Sequence, residues 1–314
     1  MSRLPLCRAA DLAHDAPPER WLIESLWAER AVGILGGEPK CGKSLLALDL
    51  AVAVASATPC LRRFAVEKPG RVLLYAAEDA LPVVRERLDG IARAASVDLR
   101  SLPLYVITAP TLRLDTATDR QRLEETVGAA RPRLLVLDPF VRLHAVDENA
   151  AGEVAPLLGY LRHLERTHQT AVLLVHHVRK GAGHLRPGQA LRGSSELHAW
   201  GDSNLYLRRR GDTLHLSVEH RAAASPADIF LTLPAAGRPL ALEIVDQPAD
   251  LDASAAPGPE QRVYDALAAA SKPLALVALR QACRIRTSTL CAILNALAAE
   301  GTIRKTADGY TVAR

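Results

Sequence analysis

Aromatic residues are scarce in this 314-residue chain, which holds three Trp, three Phe and six Tyr. So few rings would hardly furnish a groove of stacked bases, and any nucleic-acid contact is expected to run through phosphates. Cysteines are few and odd in number (Cys7, Cys41, Cys60, Cys283, Cys291), with no CxxC spacing. That pattern gives neither a disulfide framework nor a zinc site. Long apolar runs are missing too: the longest, residues 45–57, is interrupted by Asp49 and falls short of the ~20 residues a membrane span needs. With no secretory signal in view, the expectation is a cytoplasmic protein without a membrane partner. What is abundant is aliphatic: 49% of the chain is hydrophobic, enough for one large core and a second small one. Residues 260–314 carry eight Lys or Arg against four acids, so the net charge of +4 sits in that tail and suggests an anionic partner for it.

The most informative stretch is Gly37-Glu38-Pro39-Lys40-Cys41-Gly42-Lys43-Ser44. An apolar run, residues 31–35, precedes it as a short buried strand. Residues 45–55, opening at Leu45, follow it as a helix. Strand, GxxxxGKS loop and helix form a P-loop. Successive backbone N–H groups curl around a phosphate, and the helix N-terminus adds a partial positive charge. Lys43 is placed to reach the β- and γ-phosphates, and the Ser44 hydroxyl to ligate Mg²⁺. ATP and Mg²⁺ are therefore the expected ligands, held by residues 37–45.

The remaining pattern alternates. Strands are predicted over 71–77, 103–108, 133–138 and 171–177, with helices over 81–95, 119–130 and 154–167, which argues a parallel sheet covered on both faces. Residues 21–27, with Trp21, Leu22, Ile23, Leu26 and Trp27, read as a short lead-in helix. Short strands over 204–208, 213–219, 228–233 and 240–245 fit hairpins extending one sheet edge. Residues 246–259 read as a linker. Beyond it, three helices (260–270, 274–283, 287–299) and a hairpin around Asp308-Gly309 form a winged helix-turn-helix pattern. The domains expected are an ATPase over 1–245 with a lead-in over 1–30, and a winged helix over 260–314.

An ATPase needs an acid for the metal shell and a group to position the attacking water. Asp138, after four apolar strand residues, has the form of the metal acid; the alternative is a carboxylate capping the Asp-Pro turn. Glu78 ends another strand on the ligand side of the sheet and is the candidate base, against the plainer reading of one solvated acid among 35. His176-His177 end a further strand on that side, where an imidazole can sense the γ-phosphate. Residues 178–195 follow, with Arg179, Lys180, Arg186 and Arg192 and no acid before Ser195. They read either as a solvated surface loop or as a loop tracking single-stranded nucleic acid. In the tail, Arg284, Arg286, Thr287, Ser288 and Thr289 are placed to start a recognition helix on duplex DNA, if that unit binds DNA rather than protein.

Taken together, Gly37–Ser44, Glu78-Asp79, Leu134–Asp138, His-His-Val-Arg-Lys at 176–180 and Arg-Gly-Ser-Ser at 192–195 resemble the RecA-fold ATPases of the plasmid-encoded hexameric replicative helicase type, often called RepA-like. The resemblance covers about residues 20–245. It implies an α/β, RecA-like P-loop NTPase with a mostly parallel sheet extended by C-terminal hairpins. It also implies Glu78 as base, Asp138 as Mg²⁺ acid, His177 as γ-phosphate sensor, and Arg221 as a finger reaching a neighbouring subunit's site. The family often has a basic residue two before that arginine, where this chain has Glu219. The function so implied is a hexameric 5′–3′ DNA helicase or translocase in replication of a plasmid, phage or mobile element. The rivals are an ATP-switched DNA-binding regulator and an oligomeric recruitment ATPase that does not unwind.

Overall fold

The computed structural model describes residues 6–11, 21–177, 195–233, 238–247, 259–270, 272–283, 285–299, 302–306 and 308–312. The chain divides into two compact units, 1–246 and 247–314.

The first unit is an α/β layer structure around a nine-stranded sheet. Its strands are β3 (Val32–Gly37), β4 (Val72–Ala76), β5 (Leu104–Val106), β6 (Leu134–Asp138), β7 (Ala171–His177), β8 (Ser203–Arg210), β9 (Thr213–His220), β10 (Ile229–Thr232) and β11 (Glu243–Val245). Their order across the sheet is 11-10-9-8-3-7-6-4-5. From β8 to β5 every neighbouring pair is parallel. The final three strands then fold back as an antiparallel meander.

Both faces of the parallel part are buried, as its unbroken apolar strands require. Leu134 and Val136 face one hydrophobic core, with helices α1 (Lys43–Ser56) and α2 (Leu81–Ala94). Leu135 and Leu137 face the other, with α3 (Ala117–Ala130), α4 (Ala151–His168) and the short α5 (Ser195–Trp200). Among the described residues no helix is long and apolar enough to cross a membrane.

The lead-in departs from expectation. Residues 21–28 form a hairpin rather than a helix: β1 (Trp21–Ile23) pairs antiparallel with β2 (Trp27–Ala28). Leu22, Ile23, Leu26 and Trp27 are fully buried, and their spacing suits either structure. Tertiary hydrogen bonds decide it: Glu24 N donates to Ala65 O at 2.9 Å and Ala28 N to Ser203 Oγ at 3.1 Å. Ser25 turns the chain with a φ of 57°.

The second unit has three helices, α6 (Pro259–Ala268), α7 (Leu276–Cys283) and α8 (Thr287–Ala299), and an antiparallel pair, β12 (Ile303–Thr306) and β13 (Gly309–Val312). Val263, Leu267, Leu279, Leu290, Leu294 and Ile303 form its own core. Gly309 sits at φ +140°, where an added Cβ would lie 2.3 Å from the Leu274 carbonyl. Only glycine accommodates both that backbone and that approach.

Candidate active site

The C-terminal ends of parallel strands are where an open α/β sheet presents its ligand site, and here they collect the sequence-predicted residues. The loop after β3 runs from Gly37 to Gly42, and α1 begins at Lys43. Gly37 passes so close to β8 that a Cβ would fall 2.4 Å from the Leu207 carbonyl and 2.8 Å from Cys41 Sγ. Gly42 adopts a left-handed φ of +92° at the helix N-cap. The loop's backbone shape thus demands glycine at these two motif positions.

Lys43 is only 4% exposed. Its Nζ donates to the carbonyls of Gly37 at 3.0 Å and Glu38 at 2.8 Å. Burial pulls its pKa below the ordinary lysine value, opposed by nearby anionic groups that include Asp138 and Glu78. Ser44 donates its hydroxyl to the Asp138 carboxylate. Asp138 ends β6, and burial pushes its pKa up to about 6, against the Ser44 bond and the Lys43 charge that lower it.

Strand register brings the second acid alongside. Ala76 of β4 faces Asp138 across the parallel ladder, and Ala77 N donates to Asp138 O at 2.7 Å. Glu78 and Asp79 therefore emerge beside the metal-acid candidate. Glu78 lines the cleft and accepts from Arg142 Nε at 2.8 Å. Asp79 pairs with Arg87 of α2. His177, at the end of β7, stands beside Gly37 in register. The cleft these groups enclose measures about 380 Å³. A wider groove of about 910 Å³, between β5 and α3, contains none of them; chemistry, not size, locates the site.

Two cations of this cleft escaped the sequence reading, Arg87 and Arg209. Arg209 follows from β8 lying parallel to β3, with Leu207 opposite Gly37, and the Arg208-Arg209-Arg210 run was a visible signal for it. Arg87 had none beyond its place one helix away.

Arg221 lies elsewhere. It follows β9, at the end of the sheet where β3 begins: Arg221 N donates to Asp202 O, and Asp202 N to Val32 O. Its guanidinium contacts Asp202 Oδ1 at 3.5 Å and donates to the Ala199 carbonyl. It is thus remote from the chain's own P-loop. Arg179, Lys180, Arg186, Arg192 and Arg284 lie outside the described residues. Arg286, Thr287 and Thr289 are exposed where α8 begins, with the Ser288 backbone between them.

A family model described as an AAA domain matches residues 1–183, more than half of the chain. The chain belongs to the AAA domain family. Two solved structures share its fold. The RadB recombinase superposes with a TM-score of 0.51 over 69% of this chain and 92% of its own, at 16% identity. A DnaB-like replicative helicase, described with its interactions with primase, gives 0.51 over 66% of this chain, at 12% identity. The chain spans 56% of that helicase chain. At these identities the likeness is one of fold, and this AAA-domain protein is a P-loop ATPase of RecA-like architecture.

The residues present fit the ligands such an ATPase uses. A buried lysine bonded, among the described residues, to loop carbonyls, at a helix N-terminus, suits a phosphate. The carboxylate of Asp138 is held next to the Ser44 hydroxyl, and hydroxyl plus carboxylate is a donor set suited to Mg²⁺ with its waters. Such an ion would supply neutralising charge at the β- and γ-phosphate oxygens.

Proposed function

We propose that this ATPase is a DNA-stimulated motor, a helicase or translocase that works as a ring of six subunits in the cytoplasm and serves replication of a plasmid, phage or other mobile element. The observation that carries the reading is the position of His177. It ends β7 beside Gly37 of the P-loop and is followed directly in the chain by the basic segment 178–195. A side chain at the γ-phosphate and a stretch of cations for DNA phosphates are thus one residue apart. In this reading Glu78 accepts the proton of a water as it attacks the γ-phosphorus, the bond from phosphorus to the β-phosphate bridging oxygen breaks, and ADP leaves with that electron pair. Lys43 holds the phosphates, and Ser44 and Asp138 hold Mg²⁺. Arg221, far from its own P-loop, serves the site of a neighbour.

The deciding assay is ATP hydrolysis with and without single-stranded DNA, followed by strand displacement on a forked duplex. Stimulation and unwinding are expected. Stimulation without unwinding reduces the motor to a translocase, and neither removes it.

A second reading draws on the C-terminal unit, which we interpret as a winged helix. Arg286, Thr287 and Thr289 stand exposed at the start of α8, the end of a recognition helix that meets base edges in helix-turn-helix proteins. An ATP-switched regulator would use it to read a site. A discrete duplex footprint with no strand displacement favours that reading.

A further inference from the structure

Strand order divides the cleft into two ends. Asp138 and His177 end β6 and β7, and Glu78 follows β4, all on one side of β3. Arg209 belongs to β8 and Leu233 follows β10, on the other side of β3. The P-loop leaves β3 between them. β8 is parallel to β3, β9 returns, and β10 turns back again, so β10 ends at the same sheet edge as the P-loop strand. A nucleotide with its γ-phosphate toward Asp138, Glu78 and His177 therefore lays its nucleoside toward Arg209 and Leu233.

That end is furnished unlike the other. Leu233 and Leu240 line the cleft and are 41% and 39% exposed. Two large apolar side chains, half-open at one end of a charged cleft, suit a flat ring rather than a phosphate. Leu240 is packed closely against α2: a Cβ on Gly90 would lie 2.9 Å from its carbonyl oxygen. Arg209 pairs with Leu214 across the ladder, and Leu214 Cδ1 lies 3.5 Å from where a Cβ on Gly42 would stand. The cation of Arg209 thus borders both the P-loop and the leucines. Among the described residues no side chain pairs with it.

We propose that Leu233 and Leu240, bordered by Arg209, are a platform that holds the nucleobase without reading its edge, so that the site takes GTP as well as ATP. Adenine presents an amino donor where guanine presents the O6 acceptor. The side chains described at this end are two leucines and an arginine, with Lys40 on the P-loop. Leucine makes apolar contact, and arginine and lysine only donate. None of them accepts from the adenine amine, so none of them selects ATP. A guanidinium can also lie flat on a ring of either purine. A site that hydrogen-bonds the distinguishing group rejects the analogue by about 10⁴-fold or more, whereas apolar contact discriminates far less. This rests on the reading of the cleft as the ATP site. It goes beyond that reading by naming the substrate class and the residues that set it.

The test is equilibrium competition on the full-length protein with Mg²⁺ and an ATP analogue that carries its fluorophore on the ribose. The competitors are ATP, GTP and inorganic tripolyphosphate. GTP is expected to bind within about tenfold of ATP. The double variant Leu233→Ala, Leu240→Ala is expected to lose about tenfold toward ATP and GTP alike. Its affinity for tripolyphosphate, which has no base, stays that of the wild type. Both leucines are half-exposed, so the variant leaves the core intact. GTP weaker than ATP by more than about tenfold overturns the claim that the base edge goes unread. A double variant that binds ATP as the wild type does, or that loses tripolyphosphate by the same factor, overturns the platform. Lys43→Ala is assayed beside them. If it binds the analogue as the wild type does, and tripolyphosphate does not compete, the reading of the cleft falls and this proposal with it. That outcome is distinct from a skewed ATP-to-GTP ratio, which overturns the proposal and leaves the ATP site standing.

Discussion

Replacing Asp138 with asparagine sets stability against function at one atom pair. In the folded, metal-free protein burial raises the Asp138 pKa to about 6, from 3.8. Between those two values the folded state keeps a proton that the unfolded chain has released, so folding stability falls as pH rises through the window and the loss is complete above about 6. Two pKa units correspond to about 2–3 kcal/mol. This already includes the favourable pull of Lys43, so without a bound cation the charged carboxylate is a net burden. Asparagine has nearly the same shape, still accepts from the Ser44 hydroxyl and carries no charge. Near neutral pH, in buffer with a chelator, Asp138→Asn is therefore expected to be the more stable protein by about 2 kcal/mol, or roughly 4–8 °C in Tm for a unit of this size. Scanning calorimetry of both proteins near pH 7.5 and again near pH 4.5 checks it: the gain shrinks at the acid pH, where the wild-type carboxylate takes up its proton. Mg-ATP then reverses the order, because ligand binding stabilises the wild type and the variant has lost its metal acid. An Asn protein no more stable than the wild type in chelator near pH 7.5 would refute the claim that burial of Asp138 is a cost awaiting a cation.

Three further outcomes are expected. Glu78→Gln binds a fluorescent ATP analogue as the wild type does but loses turnover by at least about 10²-fold, as removal of a general base does; equal loss of binding would move Glu78 to a binding role. Single-strand affinity falls with salt by roughly 0.7 log units per log unit of salt for each phosphate neutralised, and replacing Arg179, Lys180 and Arg186 together with alanine flattens the slope by about two log units; an unchanged slope makes segment 178–195 a bystander. Arg221→Ala and Glu78→Gln, each inactive alone, regain ATPase when mixed and co-assembled, and no recovery in rings shown to be mixed refutes a trans role for Arg221.

Much of the ATP site is local in sequence, which is why it was legible. Gly37, Gly42, Lys43 and Ser44 lie within eight residues, and their geometry is fixed by the loop and by the first turn of α1. That Asp138, Glu78 and His177 share one edge could be read from the sequence for a second reason. Asp138 and His177 end apolar strands and Glu78 follows one by two residues, and a parallel sheet brings such ends to one edge whatever the order of its strands. What failed depended on pairings between distant segments. The hairpin of residues 21–28 is decided by Ala65 and Ser203, invisible to a periodicity that suits a helix equally well. Arg87 enters the cleft from a helix face, and Arg142 finds Glu78 across 64 positions of chain.

Arg221 shows what strand direction adds to a motif. β8 runs parallel to β3 and β9 returns antiparallel, pairing Ser203 with His220 and Arg209 with Leu214. The outward strand therefore carries Arg209 to the P-loop edge, while the return strand delivers Arg221 to the opposite edge. About six residues of strand separate them, on the order of 20 Å, and no arginine spans that distance. The chain's own cleft is thus furnished with Lys40, Lys43, Arg87 and Arg209. The cis contacts of Arg221, to Asp202 and the Ala199 carbonyl, leave it more than half exposed, at 54%. If the trans reading proposed above is right, Arg221 acts at another chain's site, so mixing inactive variants is a sharper test of it than its single substitution.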